Sequence, residues 1–266
     1  MPELSIPEII EMVVDQLQDD KAALTNCSVV SKVWLLRSRY YLFRTVQIIV
    51  RASDRNLDAA STFFRANPNI SACVQHLHVR AAQSMKVPEL SMDDFAGVWP
   101  IPLEAVDIGN LCHMLQSFPN PVSMDMEGVY MQSNAGEIVS LLPSLRTSSL
   151  RKLTIRDVLI PPSSFGALFN LTNVFTGLDD LTMDKVLFDT AGVTMDMQAT
   201  LKWAGDFNVT NLVLRNVSGM LNLLPTTAFR HVRRLDIPML TLLIPDAARY
   251  LIPLYPTLEE MYLGEL

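Results

Sequence analysis

Charge and glycine are both scarce in this sequence. Only 18% of its 266 residues are charged, 49% are hydrophobic, and 10 are glycine. This composition argues against a disordered chain and favours a sizeable core. Few glycines leave little material for loops that cradle phosphates, and the phosphate-loop, dinucleotide-binding, nucleophile-elbow and His-Glu-x-x-His motifs are all missing. We therefore expect a protein that is not an enzyme and uses no cofactor.

Targeting and cross-linking signals are missing as well. The three cysteines, Cys27, Cys73 and Cys112, are an odd number without metal-ligand spacing, which favours reduced thiols in an intracellular protein. The first residues lack the basic and apolar regions of a signal peptide. No run approaches the roughly eighteen apolar residues of a membrane span. We expect a cytoplasmic or nuclear protein, or one found in both, with no membrane partner.

Positive charge is in the minority, with 21 Lys and Arg against 28 Asp and Glu, a net charge of −7. An acidic chain is a poor candidate for nucleic-acid binding, and we expect none. One short segment departs from this balance by interleaving basic and aromatic residues. We interpret it as a solvated helix flank whose tyrosines pack on the chain that follows, and contact with nucleic acid is the alternative. Its residues are Arg37, Arg39, Tyr40, Tyr41, Arg44 and Arg51.

The first 44 residues have the pattern of a small helical module. Ser5 and Glu8 are spaced as a capping box, with Pro7 in the first turn of the helix. Asp19 or Asp20 can cap a second helix. Apolar residues recur at helical spacing in both helices: Ile6, Ile10, Val13, Val14 and Leu17, then Leu24, Cys27, Val30 and Trp34. So short a segment cannot bury all of these side chains by itself, so we expect some of them to pack on a partner or on the rest of the chain.

The same residues resemble a known family. Ile6-Pro7-Glu8-Ile9-Ile10, with Val13 to Leu17 after it, resembles the Leu-Pro-x-Glu-Leu…Ile-x-x-Leu opening of an F-box. Val30-Ser31-Lys32-Val33-Trp34 resembles its closing Leu-Val-Ser-Arg-x-Trp signature, and Leu36 to Arg44 is most similar to F-box proteins of mushroom-forming fungi. The resemblance covers residues 4–44, with Ile6 in place of the usual leucine.

The resemblance implies docking on a Skp-type adaptor, and through it on a cullin–RING ubiquitin ligase. The chain would then be a substrate-recognition adaptor of a Skp–cullin–F-box (SCF) ligase that binds a target protein through its remaining residues. The adaptor contacts that the resemblance implies are Pro7, Ile9, Ile10, Val14, Leu17, Val30 and Trp34. Trp34 and Leu17 can instead belong to the core of the module.

Residues 45–266 repeat an apolar pattern at positions 0, 3, 5 and 8, after a first strand predicted at Thr45 to Val50 and a helix at Asp58 to Phe64. The two-residue spacing inside each set predicts a short strand, and most sets follow one another after 23–31 residues, close to the period of leucine-rich repeats. Further helices are predicted at residues 111–118, 137–142, 163–169 and 246–254. The sets begin at Val74, Leu103, Pro121, Leu150, Leu178, Val209, Val232 and Leu258.

This array resembles the irregular leucine-rich repeats that many F-box proteins carry, although Val or Leu replaces the asparagine that turns such repeats. The predicted fold is α/β, with a helical F-box module at residues 1–44 followed by a leucine-rich-repeat-like solenoid of short parallel strands and helices at residues 45–266. A compact α/β domain with a parallel sheet is the alternative.

Positions 2, 4 and 6 of each set are predicted to project from one face of the strands. Their mixed charges suit recognition of a protein surface, and a solvated face without a ligand is the alternative. The predicted target-binding residues are His76, His78, Arg80, Lys152, Arg156, Asp184, Arg215, Arg234 and Tyr262. His76 and His78 are spaced to share a metal, but we interpret them as surface histidines and expect no metal site. The neighbouring carboxylates Asp179 and Asp180 point apart in a strand, which makes them poor acid/base partners.

Two other classes of function remain open. The chain can be a non-ligase leucine-rich-repeat scaffold whose helical start caps the array, or an enzyme of a type that these motifs do not reveal. A helical cap buries its apolar residues, whereas a docking module leaves some of them exposed. An enzyme needs a pocket with convergent polar groups.

Overall fold

The computed structural model describes residues 6–51, 56–82, 105–132, 150–161, 177–188, 209–215, 231–238 and 257–264, together with residues 164, 172, 175 and 217. The protein is α/β: helices open the chain, and strands of a parallel sheet then alternate with further helices. Among the described helices, none has the length and apolar character needed to cross a membrane.

Three helices form the N-terminal module: α1 (Ile6–Gln16), α2 (Lys21–Cys27) and α3 (Lys32–Arg44). Asp20 caps α2, because its side chain accepts a hydrogen bond from the backbone N–H of Ala23 at 2.9 Å. Of the two caps predicted, the structure selects this one. Val14 and Leu24 are completely buried and form the core of the module.

The strands and the remaining helices follow in the order β1 (Thr45–Val50), α4 (Asn56–Ala66), α5 (Pro68–Ser71), β2 (His76–Ala81), β3 (Ala105–Asp107), α6 (Ile108–Leu115), β4 (Ser123–Glu127), β5 (Tyr130–Gln132), β6 (Lys152–Ile160), β7 (Asp180–Phe188), β8 (Asn211–Arg215), β9 (Arg234–Pro238) and β10 (Glu260–Gly264). The predicted first strand and the helices expected at residues 58–64 and 111–118 are confirmed in type. The helices expected at residues 137–142, 163–169 and 246–254 lie outside the described residues, apart from residue 164.

The main sheet runs β1-β2-β4-β6-β7-β8-β9-β10, and every neighbouring pair is parallel. The register places equivalent positions of the apolar sets side by side, so that Leu77 is opposite Met124, and Met124 is opposite Leu153. These apolar positions are fully buried on one face. The two-residue alternation is therefore confirmed for the sets that begin at Val74, Pro121, Leu150, Leu178, Val209 and Val232.

Helices α4 and α6 contribute to the same core as the sheet. The ring of Phe64 in α4 packs edge-on against the ring of Phe118 with a centroid distance of 4.7 Å. Leu111 and Leu115 of α6 are buried in the same cluster. The opposite face of the sheet is left for the polar side chains of positions 2, 4 and 6.

The set that begins at Leu103 was wrongly predicted to supply a strand of this row. β2 pairs directly with β4, whereas β3 pairs with β5 at a separate position. Asp107 then caps α6 by accepting from the N–H of Asn110 at 2.8 Å. The error has a physical cause: Ile108 and Leu111 are three residues apart, a spacing that a helix and the repeat pattern share.

Three neighbouring strands of the main row, β4, β6 and β7, each contain or are directly followed by a residue with a left-handed backbone conformation at the same position of the apolar set. Gly128, Asp157 and Lys185 have φ of 67°, 50° and 52°, and each occupies position 7 of its set. β6 and β7 continue beyond this residue and remain paired, with Val158 opposite Val186. The three left-handed residues thus form one aligned corner across the sheet.

Candidate functional site

Exposed apolar side chains are concentrated in the N-terminal module. Eight of the twelve exposed large hydrophobic side chains in the described chain lie in two stretches, residues 6–13 and 29–36. Val29 is 81% exposed, Ile6 75% and Val30 64%. Grouped apolar exposure of this kind is typical of a surface that binds another protein. The eight are Ile6, Ile9, Met12, Val13, Val29, Val30, Val33 and Leu36; we refer to them as the apolar docking residues.

The predicted adaptor contacts fall into three groups. Pro7, Ile9 and Val30 are exposed. Ile10, Leu17 and Trp34 are half-buried and contribute to both the surface and the module.

Val14 is wrong as a contact, because it is completely buried in the module. Helical spacing identified the apolar residues of α1 but could not separate those that pack internally from those that face solvent. For the same reason the predicted contacts left out six exposed apolar residues of the module: Ile6, Met12, Val13, Val29, Val33 and Leu36. Their only sequence signal was an excess of apolar residues over what three short helices can bury.

An ion pair joins α1 to α3 inside the module. Arg37 donates from Nε to Asp15 Oδ1 at 2.6 Å and from Nη2 to Oδ2 at 2.8 Å. The guanidinium lies over the rings of Tyr40 and Tyr41, at 5.5 and 5.3 Å from their centroids. The hydrogen bond from Arg37 holds the pKa of Asp15 below its ordinary value. Both carboxylate oxygens of Asp15 accept from the guanidinium of Arg37, which holds α1 and α3 in one arrangement.

A second set of contacts joins the module to the sheet through Gln75. Its side-chain amide donates to Tyr40 Oη at 3.0 Å and accepts from Arg44 Nε at 2.9 Å. Three members of the basic, aromatic segment, Arg37, Tyr40 and Arg44, are therefore held by intramolecular contacts. This arrangement agrees with the interpretation for Tyr40, which contacts the chain that follows at Gln75, whereas Tyr41 contacts Arg37 within the module.

All nine predicted target-binding residues project from the polar face of the sheet, because they occupy positions 2, 4 or 6. Arg80, Lys152, Arg156, Arg215, Arg234 and Tyr262 are exposed, whereas His76, His78 and Asp184 are half-buried. We refer to the side chains at positions 2, 4 and 6 of the paired strands as the charged strip. The nine residues share one face of the sheet but are distributed over six of its strands.

Opposite charges pair across neighbouring strands of the charged strip. Arg215 Nη2 lies 2.6 Å from Asp236 Oδ2, and Arg234 Nε lies 3.2 Å from Glu260 Oε2. The ring of His78 contacts a carboxylate in the same way, with Nδ1 3.1 Å from Asp125 Oδ2. These cross-strand pairs neutralise part of the surface.

Strand β6 differs from its neighbours in the strip. Lys152 and Arg156 are both exposed, and within the described residues neither pairs with a carboxylate. They are four residues apart on one face of a strand, roughly 13 Å. Between them, Thr154 is 1% exposed, and its hydroxyl has no hydrogen-bond partner among the residues that the structure describes. The strip therefore has two basic side chains on β6, with Glu127 beside Arg156 on one neighbouring strand and Asp180 and Asp184 opposite Lys152 and Arg156 on the other.

The two histidines each have a partner on β4. His76 Nδ1 lies 2.8 Å from Ser123 Oγ, and burial is the main cause that lowers the pKa of His76, followed by the nearby Arg44. Among the described residues, no group of three or more His, Cys, Asp or Glu side chains has the arrangement of a metal site. The histidines serve here as cross-strand partners.

Adjacent carboxylates take separate partners. Asp179 pairs with Arg151 at 3.7 Å, whereas Asp180 accepts from Asn211 at 2.5 Å on the other side of the strand. The prediction that these two side chains point apart is confirmed.

Neither a protein-family model nor a curated protein matches the chain. The resemblance to F-box proteins therefore rests only on the residues quoted in the sequence analysis.

Proposed function

We propose that this protein is a substrate-recognition adaptor of an SCF-type ubiquitin ligase. Residues 1–44 dock on a Skp-type adaptor, and through it on a cullin–RING ligase, while residues 45–266 hold a target protein by the charged strip. The apolar docking residues carry the proposal, because they are exposed in the segment that resembles an F-box. Their burial against the apolar groove of an adaptor removes this area from water.

A leucine-rich-repeat-like solenoid is the form we propose for residues 45–266. Its support is the strand order, since the strands of the main row follow one another in chain order, with the described strands β3 and β5 lying off the row. Within the described strands, one face of the row carries the buried apolar positions and the other carries the side chains of the charged strip.

The proposed mechanism is proximity. The chain itself supplies no reacting group: it holds a target lysine near the ubiquitin-loaded partner of the ligase and so raises the effective concentration of the two reactants. Such a protein acts in the cytoplasm, the nucleus or both.

A non-ligase scaffold with a helical cap is the second candidate. A cap exists to bury apolar surface, so its own apolar side chains lie against the array. Val29 and Val30, at 81% and 64% exposure, depart from that expectation and favour docking.

Co-purification with a Skp-type adaptor tests the proposal. We expect the full chain to retain the adaptor and an Ile9→Asp, Val30→Asp variant to lose it, because both side chains are exposed and their replacement leaves the fold intact. Phe63→Asp is the matched control, since Phe63 is 47% exposed against 48% for Ile9 but lies outside the module. A folded wild-type chain that fails to retain the adaptor, or equal retention by all variants, would contradict the proposal.

A further inference from the structure

Gln75 connects three elements, α3, β2 and β4, through its place in the chain and the hydrogen bonds of its backbone and side-chain polar groups. Its backbone N–H donates to the carbonyl of Arg44 at 2.9 Å, at the end of α3. Its backbone carbonyl accepts from the N–H groups of Val122 and Ser123, at 2.7 and 3.0 Å, at the start of β4. The residue itself lies immediately before β2. The backbone of Gln75 thus joins the last helix of the module to two strands of the sheet.

The side chain of Gln75 extends this connection into the module. Its amide nitrogen donates to Tyr40 Oη and its amide oxygen accepts from Arg44 Nε. Arg37 lies over the ring of Tyr40 and holds Asp15 of α1 in a two-pronged ion pair. A continuous series of contacts therefore runs from α1 through α3 to the sheet, and only one side chain in it belongs to residues 45–266.

We propose that Gln75 is a positioning residue that fixes the direction of the charged strip relative to the docking module. This inference deepens the proposed function and rests on it: a proximity mechanism requires both surfaces to be held at one orientation, because misplacement by about 1 Å lowers the rate of a positioned reaction. Tyr40 and Gln75 are both half-buried, so their hydrogen bond is partly shielded from competition by water.

A change at Gln75 should therefore affect ubiquitin transfer without affecting binding of the adaptor. Gln75 contributes to neither surface, since it precedes the strip and lies outside the apolar docking residues. Loss of its amide removes two side-chain hydrogen bonds and leaves the backbone bonds in place. The module and the sheet then remain folded, while their relative orientation becomes variable.

Spin labels on Gln16 of α1 and Ala59 of α4, both exposed helical positions, report this orientation. The labels are introduced in the full chain with Cys27→Ser and Cys73→Ser, and the distance distribution is measured. We expect Gln75→Leu to broaden the distribution and Gln75→Glu to restore it, because a glutamate accepts from both Arg44 and Tyr40. Gln116→Leu, the same chemical change at an exposed site on the C-terminal end of α6, leaves it unchanged.

Leu57→Ala is the second control, since it creates a cavity beneath α4 and lowers stability without touching the joint. If Leu57→Ala broadens the distance distribution as much as Gln75→Leu does, Gln75 acts only through stability. That result would overturn the inference. So would an unchanged distribution in Gln75→Leu. These outcomes are independent of any ligase.

The reconstituted ligase provides the functional readout through automodification. Lys152 lies in the charged strip and Lys21 in the module, so each variant carries its own reference site. We expect Gln75→Leu to lower ubiquitin transfer to Lys152 relative to Lys21 by about tenfold while adaptor binding is retained. An unchanged ratio would contradict the positioning role. Absence of all transfer, with the distance result intact, would instead contradict the proposed function.

Discussion

Asp15 and Arg37 are 22 residues apart in sequence and form the tightest ion pair of the module. The hydrogen bond from Arg37 lowers the pKa of Asp15 in the folded protein, so the pair stabilises the fold above the ordinary carboxyl pKa of about 3.9. As the pH falls below that value and through the lowered pKa, this contribution is lost. Each side chain is about one-third exposed, which limits the contribution through solvent screening.

We predict that Arg37→Leu lowers the free energy of unfolding at pH 7 by about 1 kcal/mol. Urea denaturation at pH 7 and at pH 3 measures the effect, and the difference between wild type and variant should shrink at pH 3. An equal difference at both pH values would show that lost packing on the tyrosine rings, rather than the ion pair, is responsible.

Thr154 lies in the charged strip yet is 1% exposed, and within the described part of the chain its hydroxyl has no hydrogen-bond partner. An unpaired buried hydroxyl costs stability, whereas valine has nearly the same shape and no polar group. We predict that Thr154→Val raises the free energy of unfolding by about 1 kcal/mol. Thr182→Val is the matched control, because Thr182 is the register partner of Thr154 and is only half-buried. A loss of stability in Thr154→Val would mean that the hydroxyl is paired in solution.

The sequence allowed the chemistry of individual residues to be predicted better than their burial. The Asp20 cap and the opposed directions of Asp179 and Asp180 follow from local geometry, and both are confirmed. Val14 and Ile9 share one apolar helix, and only tertiary packing decides that the first is buried and the second exposed.

At the scale of elements, the aligned corner is the feature with the clearest energetic consequence. Lys185 adopts φ of 52°, a region that costs roughly 1 kcal/mol or more for residues with a side chain and little for glycine. The strain falls on Asp157 too, whereas Gly128 avoids it.

We predict that Lys185→Gly is more stable than Lys185→Ala by about 1 kcal/mol, since both changes remove the charge and only glycine relieves the backbone. Lys152 sits in ordinary strand conformation, so there the alanine variant should be the more stable one. Thermal or urea denaturation of the four variants measures both differences. The same order at both sites would contradict the proposed strain at the corner.

Strand positions were predictable because alternation of apolar residues is a local signal. Leu77 and Val79 are buried and His78 between them is half-buried, as the period-two pattern requires. The set that begins at Leu103 was wrongly predicted as a strand of the main row because its spacing also suits a helix. In the structure these residues form the short strand β3 followed by helix α6. β1 belongs to the same row but its set is interrupted by Arg51, which is why it was predicted as a strand and not as a member of the array.

At the scale of the whole molecule, two surfaces of different character lie on one chain. The module exposes apolar side chains, and the polar face of the sheet exposes paired and unpaired charges. Apolar burial suits a lasting complex, whereas a charged surface suits selective recognition of a partner. This division matches the two tasks of a ligase adaptor.

The joint between these surfaces was beyond sequence reasoning. Tyr40 and Gln75 are 35 residues apart, and no local pattern relates a tyrosine on a helix to a glutamine before a strand. The resemblance to an F-box and the array pattern each describe one part of the chain, but the contact that connects them depends on how the parts pack.

Amide hydrogen exchange of the full chain, alone and with a purified Skp-type adaptor, tests the central claim most directly. The account predicts a stable complex in which exchange slows in residues 6–16 and 28–36, where the apolar docking residues lie, and stays unchanged in the strands of the sheet. No complex with a folded chain, or protection confined to the sheet, would contradict the account.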